Sequence, residues 1–300
     1  MIPSMNWACE KVAVLAGGTS CEREISLISG RAVLAALTAK GMPAILVDPA
    51  GDFVQTIKNE NISMAFLALH GTFGEDGTIQ RLFEKEGIAY TGSGVASSEK
   101  AFDKSRAQRL FQQAGLRVPE FRIVKKGETL GLPKKSSFPM VVKPASAGSS
   151  IGVSLVYDGA NYEKAVSEAF RYSDSILIDR YIPGRELTVG MLGDEALPIG
   201  EVIVQRKFYD YQAKYENTGT RYEFPAKLSV QEARRVTEAA VKAYHTLGCE
   251  VMARVDVILG QDHEPCVLEV NTIPGLTGKS LLPKAALAAG IDFPSLCVKI

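Results

Sequence analysis

Three hundred residues, 46% hydrophobic and 23% charged, suffice for two or three domains with cores of their own and exclude a disordered or fibrous chain. Its 34 basic and 34 acidic side chains cancel, so no global field favours nucleic acid or an anionic membrane, and no apolar run is long enough to span a bilayer. The opening MIPSMNWACEK lacks a basic stretch followed by an apolar one, so no secretory signal is expected. Five cysteines without CxxC spacing read as reduced thiols of a cytoplasmic protein.

Residues 11–15, KVAVL, form a short apolar run that ends in a turn, Gly17-Gly18-Thr19-Ser20. Ile25, Ile28, Ala32 and Ala35 then recur at helical spacing until Gly41 stops the helix. With a second strand at 44–48, this is a βαβ unit whose glycine turn faces a crevice at the strand ends. The turn is not GxGxxG, which speaks against a dinucleotide. Glu22 falls in the first helical turn, where a carboxylate suits the dipole; an ordinary first-turn glutamate would sit there too.

MAFLALH at 64–70 is a third strand, and it runs into GTFGEDG, a glycine-rich loop through which backbone can approach a ligand. His70, taken alone, reads as a hydrogen-bonded structural residue. A helix at 78–86 and a strand at 88–92 complete a small α/β domain that ends near SGVASS. Residues 99–117 read as one basic helix carrying Lys100, Lys104, Arg106 and Arg109.

Val141-Val142-Lys143 is predicted to be a strand, ASAGSSIG at 145–152 a small-residue tip, and 151–157 the returning strand. Such a tip, with Ser149 and Ser150, can fold over phosphates while Lys143 neutralises their charge, although a plain hairpin tip has the same composition. It is not a Walker loop. A helix at 160–170 and a strand at 176–182 follow, then a hinge at Pro183-Gly184. ELTVGML is expected to pair with LPIGEVIV at 197–204. Residues 205–226 are polar and tyrosine-rich, without core periodicity, which is the profile of a functional loop or lid. In the next helix Val236, Ala240, Ala243 and Leu247 form an apolar stripe capped by Gly248.

Residues 252–277 carry the most chemistry. Two apolar runs flank GQDHEP, which predicts a β-hairpin. Strand alternation puts Val255 and Val257 on one face with Leu268 and Val270. The other face then presents Arg254, Asp256, Glu269 and Asn271 together. Two carboxylates and an amide oxygen suit Mg²⁺, with phosphates and water completing the shell, and an arginine beside them can bind a developing oxyanion. An ordinary solvated sheet face would look similar. Gly275 lies in the irregular loop that follows.

The set VVKP-x₃-GSSIGV, AKY, RVDVIL and LEVNTIPGLT, with GGTSCEREISL and ALHGTFGEDGTIQ, resembles the ATP-grasp superfamily and, within it, the D-alanine–D-alanine ligases. The likeness runs from Lys11 onward. It implies a Rossmann-like N-terminal domain at 1–95, then a two-lobed ATP-grasp fold with a central lobe at 96–183 and a C-terminal lobe at 184–300. It implies that ATP phosphorylates one D-alanine and that the amine of a second attacks the acyl phosphate, a step toward peptidoglycan.

By motif, the resemblance places Glu22 and His70 at the first D-alanine, and Ser280 and Leu281 at the carboxylate of the second. Lys104, Lys143 and Lys214 go to ATP phosphates, with Ser150, Asp179, Arg180 and Glu186 in the same nucleotide site. Ser149 would orient Tyr215 of the AKY loop or help bind substrate. Arg254 and the Gly275 backbone would stabilise the acyl phosphate and the oxyanion. Asp256, Glu269 and Asn271 would hold two Mg²⁺ or Mn²⁺ ions. A homodimer is implied, with no nucleic-acid or membrane partner. Family members commonly carry Glu-Lys where this chain has Asp179-Arg180, and often charged residues where it has ASAGSS. A D-alanine–D-lactate ligase, a carboxylase subunit and a non-catalytic ATP- or sugar-binding module are the rival readings.

Overall fold

The computed structural model describes residues 11–131, 133–148, 151–203 and 219–300. Among them, three sheets follow one another along the chain.

The first sheet is parallel, so a helix must carry the chain back after each strand. It runs β1 (Val12–Leu15), α1 (Arg23–Ala39), β2 (Ala44–Val47), α2 (Phe53–Asn59), β3 (Met64–Leu67), α3 (Thr78–Glu86) and β4 (Ala89–Tyr90), in spatial order β2-β1-β3-β4. The apolar stripe expected on α1 is not its buried face. Ile28 is 55% exposed and Ala35 is also exposed, while Ser26, Ser29, Gly30, Val33, Ala36 and Leu37 are buried. Close approach to β1 decides this. A Cβ on Gly30 would lie 2.2 Å from that of Ala16. The Ser26 hydroxyl donates to the Ala68 carbonyl at 2.8 Å and accepts from Gly17 N–H at 2.9 Å. Small residues, two of them polar but hydrogen-bonded, therefore beat larger apolar ones for the inner face.

The single helix expected over 99–117 is two, α4 (Val95–Phe102) and α5 (Lys104–Gln113). Asp103 breaks it: its backbone is extended and its carboxylate accepts from the N–H groups of Ser105 and Arg106, a side-chain cap. The break puts Lys104 at the very start of α5.

The second sheet is antiparallel: β5 (Phe121–Lys125), β6 (Met140–Pro144), β7 (Ser154–Val156) and β8 (Ser175–Arg180), in order β5-β8-β6-β7, with α6 (Tyr162–Ala169) packed on one face. The third, also antiparallel, contains β9 (Gly184–Leu192), β10 (Glu195–Ala196), β11 (Gly200–Ile203), β12 (Arg221–Glu223), β13 (Met252–Gly260) and β14 (Pro265–Asn271). β12 lies in the stretch read as loop, and pairs with β11. Between β12 and β13 runs α7 (Val230–Leu247), opened by a Ser229/Glu232 capping box and closed by Gly248 in the left-handed region. The predicted stripe of Val236, Ala240, Ala243 and Leu247 is fully buried.

The last two helices, α8 (Leu281–Ala288) and α9 (Phe293–Lys299), return to the first sheet and enter its core through Leu282, Ala285 and Leu296. Ala107 and Phe111 of α5 join the core of the third sheet. Cys249, Cys266 and Cys297 are buried, and burial pushes their thiols up to about 12, so they are poor nucleophiles. Among the described residues no single helix is long and apolar enough to cross a membrane.

Two predictions come from the first sheet. Gly30→Ala should cost about 1–3 kcal/mol through overpacking against β1, read as a lower urea midpoint. Gly51→Ala, where a Cβ meets nothing within 4 Å, should leave that midpoint in place. Arg23 hydrogen-bonds Asp48 and holds its carboxyl down to about 2, helped by the Gly18 and Ala50 N–H groups. The folded value lies below the unfolded one, so this stabilisation is present above pH 4 and fades as pH falls toward 2. The pair is about a third exposed, so Asp48→Asn should cost under about 1 kcal/mol at pH 7 and progressively less between pH 4 and 2.

Candidate functional site

Among the described residues, two cavities meet where the three sheets converge. One, of about 350 Å³, lies between α1, the loop after β3 and the N-terminus of α8. The other, of about 450 Å³, lies between the second and third sheets. Lys104, Ala147, Gly148, Arg254, Glu269 and Leu281 line both. A group bound in one cavity therefore reaches a group bound in the other across a shared, charged wall.

β13 and β14 build that wall. Val255 and Val257 are fully buried on the core face, so Arg254 and Asp256 point the other way. Asp256 stands directly opposite Glu269, and Arg254 opposite Asn271. The predicted polar quartet therefore shares one face. The predicted place of Leu268 is corrected. The register shifts after Asp256, which pairs with Glu269, while Val257 pairs with Val267. Leu268 is the extra residue of a β-bulge, and a bulge re-aims its side chain. Leu268 lines the second cavity, and Val267 takes the core position at 0% exposure.

Arg254 is 7% exposed and grips Asp256 through three hydrogen bonds, Nε to Oδ1 at 2.9 Å and to Oδ2 at 3.2 Å, and Nη2 to Oδ2 at 2.8 Å. Lys104 Nζ donates to the Ala147 carbonyl at 2.6 Å and sits 3.4 Å from Glu269 Oε2. Lys143, at the end of β6, pairs with Asp179 at 2.7 Å, and Gln108 Nε2 donates to the same carboxylate oxygen at 3.2 Å. Asp179 and Arg180 are neighbours on β8 and so face opposite ways: Asp179 is 3% exposed, whereas the Arg180 side chain is 70% exposed near Glu120. The shorter Asp179 is thus turned toward Lys143 inside the wall. Glu186, on β9, lines the second cavity.

The first cavity has polar groups at both ends. At one end Glu22 is 5% exposed, and its carboxylate packs so closely that a Cβ on Gly71 or Gly148 would come within 2.7 or 2.5 Å of Oε2. His70 Nε2 is 3.2 Å from the Ser29 hydroxyl, and its Nδ1 is 3.9 Å from Glu75, which also accepts from Gly71 N–H. Ser29 and Glu75 were missed in the sequence reading. Ser29 follows Glu22 by two helical turns on the same face, and Glu75 lies in the glycine-rich loop already singled out. At the other end Ser280 precedes α8 and Leu281 begins it, so the helix N-terminus opens on the cavity, where a carboxylate is favoured. Gly275 packs against the Ser280 hydroxyl, which bonds Thr277. Ser149, Ser150, Lys214 and Tyr215 lie outside the described residues.

The donor set of Asp256, Glu269 and Asn271 fits a hard divalent cation. The described residues contain no cluster of three His, Cys, Asp or Glu that would cage an ion by itself. Mg²⁺ takes one or two carboxylates from a protein and phosphates and water for the rest. Lys104 and Lys143 place two positive charges in the lining of the second cavity.

Residues 110–300 match the family model described as D-ala D-ala ligase C-terminus. The chain belongs to the D-alanine–D-alanine ligase family. Residues 49–93 match the corresponding N-terminus model. A D-alanine–D-alanine ligase of Citrifermentans bemidjiense is 45% identical over 97% of this chain and 95% of its own length, and one of Geobacter sulfurreducens is 43% identical over 97% and 92%. Among solved structures, a Bacillus anthracis D-alanine–D-alanine ligase complexed with ATP superposes with a TM-score of 0.85 at 33% identity, covering 97% of this chain and 96% of that one. The VanG D-Ala:D-Ser ligase of Enterococcus faecalis gives 0.81 at 28%, over 97% and 98%. The Rossmann-like first sheet and the two antiparallel sheets after it are the ATP-grasp architecture that the motifs implied.

The buried Lys143–Asp179 pair yields a stability prediction. Asp179→Ala leaves an uncompensated ammonium in the wall and should cost about 3–5 kcal/mol. Replacing both residues, as Lys143→Met with Asp179→Leu, should recover most of that loss. Urea midpoints of the two variants check it.

Proposed function

We propose that the protein is an ATP-dependent ligase that joins two D-alanine molecules, with a nucleotide in the second cavity and both amino acids in the first. The observation that carries this reading is the wall shared by the two cavities, with Lys104, Arg254 and Glu269 in it. It puts phosphate-binding charge between a large cleft with apolar walls, at Val141, Ile258 and Leu268, and a smaller one with a carboxylate at one end and a helix N-terminus at the other.

A carboxylate is a poor electrophile, so the first D-alanine must be activated. Its carboxylate oxygen attacks the γ-phosphorus of ATP, ADP leaves, and an acyl phosphate remains. Phosphoryl transfer is largely positioning and charge neutralisation. Glu22 holds the ammonium of the first D-alanine, and His70 lies beside it. Lys104 and Lys143 hold phosphate oxygens. Asp256, Glu269 and Asn271 would hold Mg²⁺ or Mn²⁺, two ions by family resemblance, which supply further neutralisation when bound. The second D-alanine docks its carboxylate at Ser280 and Leu281. Its amine attacks the acyl carbon, loses a proton, and phosphate departs with the former carboxylate oxygen. Arg254 and the Gly275 backbone face the oxyanion formed on the way. The roles of Ser149, Ser150, Lys214 and Tyr215 rest on the motif match alone.

The proposal includes the division near residues 95 and 183, since each of the three parts carries one sheet. It also includes a homodimer, a cytoplasmic location and a place in peptidoglycan precursor synthesis, by analogy with the family. A second reading concerns the nucleophile: the likeness to a D-Ala:D-Ser ligase makes D-serine, as well as D-lactate, a substrate to be compared.

The test is release of inorganic phosphate from ATP and Mg²⁺ with D-alanine, L-alanine, or D-alanine plus D-lactate or D-serine, with products identified by mass. D-alanine alone should suffice and yield the dipeptide; L-alanine should not. Glu269→Gln should abolish Mg²⁺-dependent release while its circular dichroism stays that of the wild type. Undiminished turnover in that variant would remove Glu269 from the site.

A further inference from the structure

Thr188 lies on β9 directly opposite Asp256 of β13. The residue is 2% exposed, it lines the second cavity, and its hydroxyl donates to Asp256 Oδ1 at 2.9 Å. A buried hydroxyl is costly unless bonded, and here the bond goes to a charged acceptor, the stronger kind.

The two oxygens of Asp256 are not equivalent. Oδ1 accepts from both Thr188 Oγ1 and Arg254 Nε at 2.9 Å, which uses its two in-plane lone pairs. Oδ2 accepts from Arg254 Nη2 at 2.8 Å, and from Nε only at 3.2 Å. Both donors on Oδ2 belong to Arg254, whereas Oδ1 has a second, independent partner in Thr188, so Oδ2 is the oxygen freed for a cation when that guanidinium turns away. Arg254 has a competing use, since its guanidinium lines both cavities and is the group proposed to meet the oxyanion. When it turns to substrate, its hold on Asp256 weakens. The Thr188 bond does not depend on substrate. It is also neutral, so it fixes the carboxylate without cancelling the charge that attracts a divalent ion.

We infer that Thr188 is a positioning residue that locks the Asp256 carboxylate with Oδ2 presented to the metal. The inference rests on the metal reading of Asp256, and goes beyond it by naming the residue that orients the ligand. Partners of this kind typically set metal affinity by about 10–100-fold.

The experiment measures Mn²⁺ binding to the whole protein by electron paramagnetic resonance, in the presence of a non-hydrolysable ATP analogue and without turnover. Thr188→Val keeps shape and removes the donor; it should weaken Mn²⁺ binding by about 10–100-fold. Thr188→Ser, which keeps the hydroxyl, should bind within a few-fold of the wild type. Asp256→Asn serves as the reference for loss of the ligand itself, and thermal unfolding establishes that each variant is folded. Wild-type-like affinity in folded Thr188→Val, with weak binding in Asp256→Asn, overturns the role of Thr188 alone. Equal weakening in Thr188→Ser and Thr188→Val also overturns it, because packing and not the hydroxyl would then be responsible. If the wild-type complex holds no more Mn²⁺ than the analogue does by itself, the metal reading of Asp256 fails, and this inference with it.

Discussion

Buried charge is the constraint on which this structure depends. Taking a carboxylate or ammonium out of water costs several kcal/mol per ion unless a partner is held close. Arg254 with Asp256 and Lys104 with Glu269 meet that condition at the wall the two cavities share, and Lys143 with Asp179 meets it across the second cavity. Arg254 and Asp256 lie on one strand, but Lys143–Asp179 needs β6 and β8 in register and Lys104–Glu269 needs α5 seated against β14. The charges are thus balanced without a ligand, and in the proposed reaction phosphates with a divalent ion would enter by exchanging partners: anionic oxygens would take up lysine and arginine, and the released carboxylates would hold the cation.

The placement of α5 shows how fold and site are tied. Phe111 and Ala107 anchor the helix in the core of the third sheet. Asp103 caps its start, and Lys104 follows at once, its N–H bonded to the Ala145 carbonyl and its ammonium to that of Ala147. One short helix therefore joins the third sheet to the hairpin of the second. In the same way α8 leaves the loop at Gly275 and ends in the core of the first sheet. Substrate-facing groups on separate sheets are held at fixed distances because these two helices cross between cores.

Much of this was legible in sequence because strand alternation is a strict rule. Arg254 and Asp256 had to share a face once Val255 and Val257 were buried, and Glu269 and Asn271 had to share one too. The rule failed at Leu268, because a bulge inserts a residue with no compositional mark. Helix α1 misled for another reason. Periodicity counts apolar residues, whereas its inner face is set by how closely it approaches β1, which favours Ser26 and Gly30 over Ile28. The long helix over 99–117 failed at Asp103, a residue that tolerates a helix interior and is better as a cap. Asp179 and Arg180 were grouped by resemblance, and both line the second cavity, although on β8 one side chain turns inward to Lys143 and the other outward to solvent.

The hairpin after β6 ties the two cavities together more closely than the lining residues alone suggest. Ala147 receives the bond from Lys104, in the wall against the nucleotide cleft, and the next residue, Gly148, lies against Glu22 at the far end of the amino-acid cavity. Consecutive residues thus report on both subsites. A Cβ on Gly148 would stand 2.5 Å from the Glu22 carboxylate, so a side chain there would push that carboxylate from its place. The residues before it, Ala145, Ser146 and Ala147, are small and uncharged, so the hairpin settles between Lys104 and Glu22 and adds no charge of its own to either, the two groups that in the proposed reaction meet phosphate and ammonium.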